Sequence, residues 1–328
     1  MKILIVNDDF PPISYTGPSI VALNLARGMQ KLGHEIFVIT SVQKKESAGE
    51  ENFLGIKIYR IYSQYPRRWS SYLILYNPQI ISEFKRIIRD IKPDVCHFHN
   101  LHQYMSFYCL AVAARHCKRL FFTAHDMMII SYDKWLPHNG DCFYKISWRD
   151  HWTAAKKRYN PLRNFAIRRQ LGKLQKIFAI SEAQKKIFNI NGIQNVEVIY
   201  NSINADEWQV QPQLVEQFKN SRGLTGKKVI LFGGRLSQAK GALAVVEAMS
   251  MVVKEIPEAV LLVAAENNEK ASDMVKFIKQ KNLTDRVIFT GWLDRDQMKV
   301  AFHTANVVVT PSIYFDPFNL FNIELIYK

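Results

Sequence analysis

The 328 residues contain no Gly-x-Gly-x-x-Gly run and no Gly-x-x-x-x-Gly-Lys-Ser/Thr run, which disfavours a dinucleotide dehydrogenase and a P-loop ATPase. Cysteine is scarce. Cys96, Cys109, Cys117 and Cys142 form no Cys-x-x-Cys pair, so neither a disulfide framework nor a zinc site is expected, and a reducing cytoplasm is the expected location. No apolar run reaches the roughly 18 residues that a bilayer-spanning helix needs. The opening MKILIVNDDFPP is too short in apolar length, and too soon acidic, to be a secretory signal. Acidic residues are also few, with 29 Asp and Glu against 44 Lys and Arg, a net charge of +15. No recognisable nucleic-acid-binding motif accompanies that excess, so nucleic acid is not an expected partner.

What is present is an alternation of short β-rich runs with longer helical ones. KILIV leads into PSIVALNLARGMQKLG and then HEIFVIT. Ile20, Leu23, Leu25, Ala26 and Met29 approximate one helix face, and Gly33 stops it. Further strands read at 94–99, 120–125, 176–181 and 196–203. A second series opens with KVILFGG at 228–234 and continues with AVLLVAA, RVIFTG and ANVVVTPS. Uninterrupted apolar strands between helices indicate parallel sheets covered on both faces. The fold class is therefore α/β, with two doubly wound, Rossmann-like domains. The first is expected over 1–203 and the second over 227–328, with the polar stretch 204–226 as a linker. Ligands of such sheets bind beyond the carboxyl ends of the strands, so two facing domains would make a cleft.

Two stretches carry charge where a fold alone does not ask for it. GGRLSQAKG places Arg235 and Lys240 between a strand and a helix N-terminus, where cations are unfavourable unless an anion lies between them. DPFNLFNIE places Asp316 and Glu324 eight apart, the first in the loop before a helix and the second a turn inside it. Two carboxylates so spaced can reach different hydroxyls of one ligand, or they are a helix-start acid and an unrelated glutamate.

Taken with FTAHDMMIISYDKWLPHNGDC and the N-terminal strand, glycine loop and helix, these segments resemble, in the expected order, a retaining glycosyltransferase of family 4. That is the group-1 class, with the GT-B fold of two facing Rossmann-like domains. The resemblance spans nearly the whole chain. It implies that Arg235 and Lys240, in the turn containing Gly234, contact the diphosphate of a nucleotide sugar, with no metal or other cofactor. Fixed cations there stabilise the charge that develops on the leaving phosphate. It also implies that Glu324 holds the ribose hydroxyls, and that Asp316, Phe318 and the backbone around Asn319 and Leu320 hold the donor sugar. His125 would contact that sugar near the reacting carbon, and Gly17 would let the backbone approach the phosphates. His125 also reads simply as a polar residue of a βα loop. Three positions depart from the family pattern. Asp316 replaces the usual Glu, Pro18 replaces a second glycine, and Asn319 replaces a Gly, Asn being a residue that tolerates positive φ.

The implied function is transfer of a sugar from a nucleotide-sugar donor to a glycan or lipid-linked acceptor in cell-surface polysaccharide synthesis. The rival is a catalytically silent module of the same fold that binds sugar nucleotide or a partner enzyme. His97 and His99 share a strand face with His102 beyond, and read as a metal set or as a loop lining the acceptor side. Asp294-Arg295-Asp296 reads as helix capping.

Ten of the cations and one acid, Asp150, lie between Lys145 and Lys176, a net of +9 in one-tenth of the chain. Trp148, Trp152, Ala155, Tyr159 and Leu162 recur at helical spacing there, flanked by Lys156, Lys157 and Arg158, until Pro161 interferes. The face suits an anionic membrane, giving a peripheral protein on its inner side, or a core-packed helix with a solvated basic back. Finally, NLFNIELIYK gives two to three turns of a helix whose Leu320, Phe321, Ile323 and Ile326 would be covered by later elements. The expectation is thus an incomplete second domain with little transferase activity.

Overall fold

The computed structural model describes residues 1–134, 136, 143–204, 208–233, 236, 238–265 and 272–326. Two compact units divide the chain, Met1–Ser202 and Ile203–Lys328. Strands of the first are β1 (Lys2–Val6), β2 (Glu35–Val42), β3 (Gly49–Phe53), β4 (Ile56–Tyr62), β5 (Val95–Phe98), β6 (Arg119–Ala124), β7 (Lys176–Ala179) and β8 (Val196–Val198). Its helices are α1 (Gly17–Lys31), α2 (Ser70–Leu73), α3 (Pro78–Ile91), α4 (Tyr108–Ala113), α5 (Trp148–Ala155), α6 (Arg163–Leu171) and α7 (Glu182–Ile190). Among the described residues the sheet runs β3-β4-β2-β1-β5-β6-β7-β8, parallel except for β3.

The second unit holds α8 (Pro212–Ser221), β9 (Lys228–Gly233), α9 (Ala242–Glu255), β10 (Ala259–Ala264), α10 (Ser272–Gln280), β11 (Val287–Phe289), α11 (Arg295–Thr304), β12 (Val307–Val309) and α12 (Leu320–Ile326). Its sheet, β11-β10-β9-β12, is parallel. Every residue of β10 is buried, as a strand covered on both faces requires.

Local rules explain most elements. In α3, Ile80, Ile81, Phe84, Ile87, Ile88 and Ile91 bury one stripe. Asn77 caps that helix by accepting from the Gln79 N–H, Pro78 occupies its first turn, and Lys92 ends it in the left-handed region. The β3–β4 hairpin turns through Leu54 and Gly55, both at positive φ (54° and 76°), as a two-residue turn of the primed type demands. Neither α3 nor this hairpin is among the elements expected from sequence.

Three expectations are corrected. Residues 204–226 are not a free linker, because α8 forms within them. Trp208, Phe218 and Leu224 enter the second unit's core, where Trp208 meets Phe302 edge-on at 5.5 Å. The basic segment is not one continuous helix, since α5 ends at Ala155 and Lys156 adopts φ 52°. Finally, α12 does not leave its apolar side wholly uncovered. Phe321 and Leu325 pack on the second unit's core, and Phe321 lies 4.5 Å from Phe302, ring to ring.

In each sheet the strand order reverses beside the first strand of the series, and at such switch points the loops diverge to leave a crevice. In the first unit that place lies between β1 and β5. The loop after β1 is tied down by Arg60 of β4, which donates to the Phe10 and Pro11 carbonyls and pairs with Glu51 at 2.7 Å. Beside it, the buried Asp8 carboxylate accepts four backbone N–H groups, from His102, Gln103, Tyr104 and Met105, at 2.8–3.1 Å. Burial pushes the Asp8 carboxyl up, while the neighbouring His102 and these N–H groups oppose that shift. Both oxygens face N–H donors, so the carboxylate is the form that fits.

Asp8→Ala would strand those donors away from water, and we expect a loss of about 3 kcal/mol or more, given roughly 1–3 kcal/mol per unsatisfied buried group. Urea unfolding of the variant checks this; an unchanged midpoint would remove Asp8 from its role as the loop's anchor.

Candidate functional site

The first unit gathers imidazoles at the carboxyl ends of β5 and β6. His97 Nε2 lies 2.8 Å from Thr123 Oγ1, and His99 Nδ1 lies 2.8 Å from His125 Nε2. His102 Nε2 approaches Asp126 Oδ2 at 3.1 Å, outside good hydrogen-bond alignment. Burial holds His97 down to about 4 and His125 down to about 3. For His125 the chain neighbour Asp126 opposes the shift, while His97 and His102 add to it. Burial would raise the Asp126 carboxyl, but His102 beside it and the Met128 N–H hold it below the usual carboxylate range. His125 is half-buried at the crevice, and Gly17 is the first residue of α1, behind the Thr16 cap. The sequence marks His125 and leaves the roles of His97 and His99 open between metal ligation and a loop lining; the structure gives each a side-chain partner on β6 or just beyond it.

The second unit brings the ends of β9 and β12 together. Gly241 has φ +77°, and a Cβ there would lie 2.0 Å from the Pro311 carbonyl oxygen, so only glycine fits between the two loops. The Ile313 N–H donates to the Ala239 carbonyl across the same junction, at 2.9 Å. Lys240 is thereby delivered to Asp316, with Nζ 2.7 Å from Oδ2. Tyr314 donates its hydroxyl to the same oxygen at 3.1 Å, and its ring lies 5.0 Å from the ammonium. Burial works to lower the Lys240 ammonium, but its hydrogen bonds to Asp316 and Tyr314 prevail and raise it. Gly234 and Arg235 lie outside the described residues.

Asn319 does not occupy the left-handed region expected of a glycine substitute. Its Oδ1 accepts from the Phe321 N–H at 3.2 Å, capping α12 instead. Phe318 and Leu320 flank that cap, both half-buried. Phe321 itself leans on β9, where any side chain at Gly233 would meet its ring at 2.4 Å. A turn inside the helix, burial pushes the Glu324 carboxyl up to about 7, with Arg295 opposing. Asp294 and Gln297 close a capping box on α11, so the Asp-Arg-Asp run does cap a helix. The site thus offers a cation that an anion can capture from Asp316, and two carboxylates able to accept from hydroxyls.

Comparison with known proteins matches residues 15–207 to the Glycosyltransferase Family 4 model and residues 215–327 to the Glycosyl transferases group 1 model. An uncharacterised glycosyltransferase of Methanocaldococcus jannaschii is 26% identical over 330 residues, covering 99% of this chain and 77% of that protein. Among solved structures, sucrose-phosphate synthase from Thermosynechococcus elongatus superposes with a TM-score of 0.74 at 17% identity, over 99% of this chain and 78% of that one. The Anabaena protein HepE in complex with UDP-glucose does so with a TM-score of 0.67 at 15% identity, over 100% and 78%. These matches and the two Rossmann-like sheets define a glycosyltransferase of the GT-B class, a transferase of EC 2.4. The chain belongs to glycosyltransferase family 4.

Two predictions follow from the second unit's geometry. Asp316→Asn removes the anion that holds Lys240, so affinity for a free nucleoside diphosphate is expected to rise several-fold by calorimetry; a fall would show that the pair does not compete with an anion. A glutamate in the unfolded chain titrates near 4.5 and Glu324 near 7, so the folded state binds the extra proton between these values. Stability then falls as pH rises from 4.5 to 7. Glu324→Gln is expected to flatten that part of the Tm-against-pH curve, and superimposable curves would refute the shift.

Proposed function

We propose that this glycosyltransferase moves a sugar from a nucleotide-sugar donor, with retention of configuration, to a glycan or lipid-linked acceptor in cell-surface polysaccharide synthesis. The observation that carries the reading is the Lys240–Asp316 pair at the β9/β12 switch point, with Glu324 one helix further along. On this reading Lys240, with Arg235, binds the diphosphate, and no metal is needed for charge neutralisation. Glu324 takes the ribose hydroxyls. Asp316 and the α12 cap at Asn319 and Leu320, beside Phe318, take the sugar, and Gly17 and His125 keep the roles that the family resemblance implies. The bond from the anomeric carbon to the β-phosphate oxygen breaks, and its electron pair leaves with the nucleoside diphosphate. The acceptor oxygen bonds to the same face of the sugar, and its proton passes to the departing phosphate oxygen. Cations fixed at that oxygen favour the transition state over the ground state. The Anabaena relative in complex with UDP-glucose supports a nucleotide-sugar donor.

Turnover with UDP-, GDP- and ADP-sugars, with the product's anomeric configuration read by NMR, tests the proposal. One donor class should be consumed with retention; inversion would overturn the mechanism. Lys240→Ala should cost roughly 10²–10³ in turnover, by analogy with loss of one oxyanion-stabilising donor.

We also infer a peripheral position on an anionic membrane surface, inside the cell. No helix among the described residues is long and apolar enough to cross a membrane. Trp148 and Trp152 are 67% and 58% exposed, and Leu162 and Phe165 are each 67% exposed. Lys156, Lys157 and Arg149 are exposed around them. Tyr72 reaches the Tyr159 carbonyl at 3.5 Å, which brings exposed Trp69, Arg67 and Arg68 to the same face. Exposed tryptophans among cations suit the headgroup layer. Arg158 belongs less to this surface, since it is half-buried and turned toward Asp133 at 4.0 Å. Charge reversal at Arg149, Lys156 and Lys157 is expected to abolish co-sedimentation with anionic liposomes, which salt should also release. Binding indifferent to lipid charge would discard the inference.

A further inference from the structure

His99 and His125 have nearly parallel ring planes, 11° apart, with centroids 5.1 Å apart. That separation, with an N···N distance of 2.8 Å, is what two imidazoles sharing one in-plane hydrogen bond require. They meet edge to edge and are not stacked face to face. His97 stacks on His99 at 4.7 Å and 17°, fixing its plane. His97 is itself held by Thr123.

We propose that His99 is a positioning residue that fixes the tautomer of His125, so that His125 presents Nδ1–H as a hydrogen-bond donor and does not act as a base. The inference rests on the reading that donor sugar lies at the end of β6.

Burial places both rings far below their ordinary titration range, so the pair is neutral and exactly one proton lies in the bridge. If His125 donated from Nε2, then His99 would carry its proton on Nε2. That nitrogen is buried and has no hydrogen-bond partner among the described residues. Orphaned buried N–H groups are rarer than under-satisfied acceptors. The arrangement that avoids one has His99 Nδ1–H donating to His125 Nε2, which leaves the His125 proton on Nδ1.

In a His125–Asp126 dyad the carboxylate would instead orient the imidazole as a base. The geometry does not make one. Asp126 accepts from the Met128 N–H at 3.0 Å and faces His102 at 3.1 Å. The titratable groups around His125 are His97 from β5, His99 and His102 from the loop that follows it, and Asp126. Among them it is His99 that shares a hydrogen bond with the ring, and His99 therefore sets its polarity. A neutral Nδ1–H suits donation to a sugar hydroxyl oxygen, and with Nε2 already accepting from His99 the ring cannot remove a proton from the acceptor.

Long-range ¹⁵N–¹H correlation spectra of the histidine-labelled full chain at pH 7 test this directly, with His125→Gln identifying the resonances. The expected pattern is a protonated Nδ1 and a bare Nε2 on His125. A protonated Nε2, or an imidazolium, would overturn the proposal. His99→Asn can still donate from the same place and should preserve the pattern. His99→Asp can only accept, and should move the His125 proton to Nε2. An unchanged Nδ1–H signal in His99→Asp would mean that His99 does not set the tautomer. The spectra need no sugar donor, so their outcome is separate from that of the proposed transferase activity.

Discussion

In the first unit, the ionised carboxylate of Asp8 at the end of β1 gathers the four N–H groups of residues 102–105, and the geometry of the crevice follows from that. The loop after β5 has no regular partner for its backbone. Without a buried acceptor, those donors would need water in the interior. Held this way, the loop carries His102 to Asp126 and keeps the β5–β6 end closed over His99. Asn7 reinforces the junction by accepting from the Asn100 N–H at 2.9 Å. The loop after β1 is then pinned from the opposite side by Arg60.

The second unit solves the same problem with sterics and charge. Glycine at 241 lets the β9 and β12 loops touch through the backbone, and glycine at 233 admits the Phe321 ring against β9. Those two contacts set where α12 starts and how it leans. Lys240 and Asp316 then meet as an ion pair shielded by Tyr314. A cation kept in place by a displaceable carboxylate is a suitable receptor for a phosphate group. The Glu324 carboxyl, buried near Arg295, resists ionisation until an environment with hydrogen-bond donors favours its charged form.

Much of the fold is legible from short-range patterns. The strand and helix alternation, the two series and the acid pair at 316 and 324 all lie within windows of a few residues. The hairpin at 49–62 escapes notice because its turn places Leu54, a poor turn former, at positive φ. The helix within 204–226 escapes because its apolar residues are few and are buried against α11, which is not a neighbour in sequence. Asn319 is readable as a special position, but not as a cap, until the helix start at Leu320 is known.

The sequence by itself determined the α/β fold class, because strands and helices follow local rules of period, turn and cap, and its motifs carried the resemblance to the family. Only the tertiary structure decided which residues act together. Asp8 meets a loop some ninety-five residues away, Lys240 meets Asp316 across 76 positions, and His99 meets His125 across 26. These pairings depend on strand order and loop packing, which bring distant side chains within hydrogen-bond range. Burial then sets their protonation, since desolvation is a property of the surrounding fold and not of the residue type.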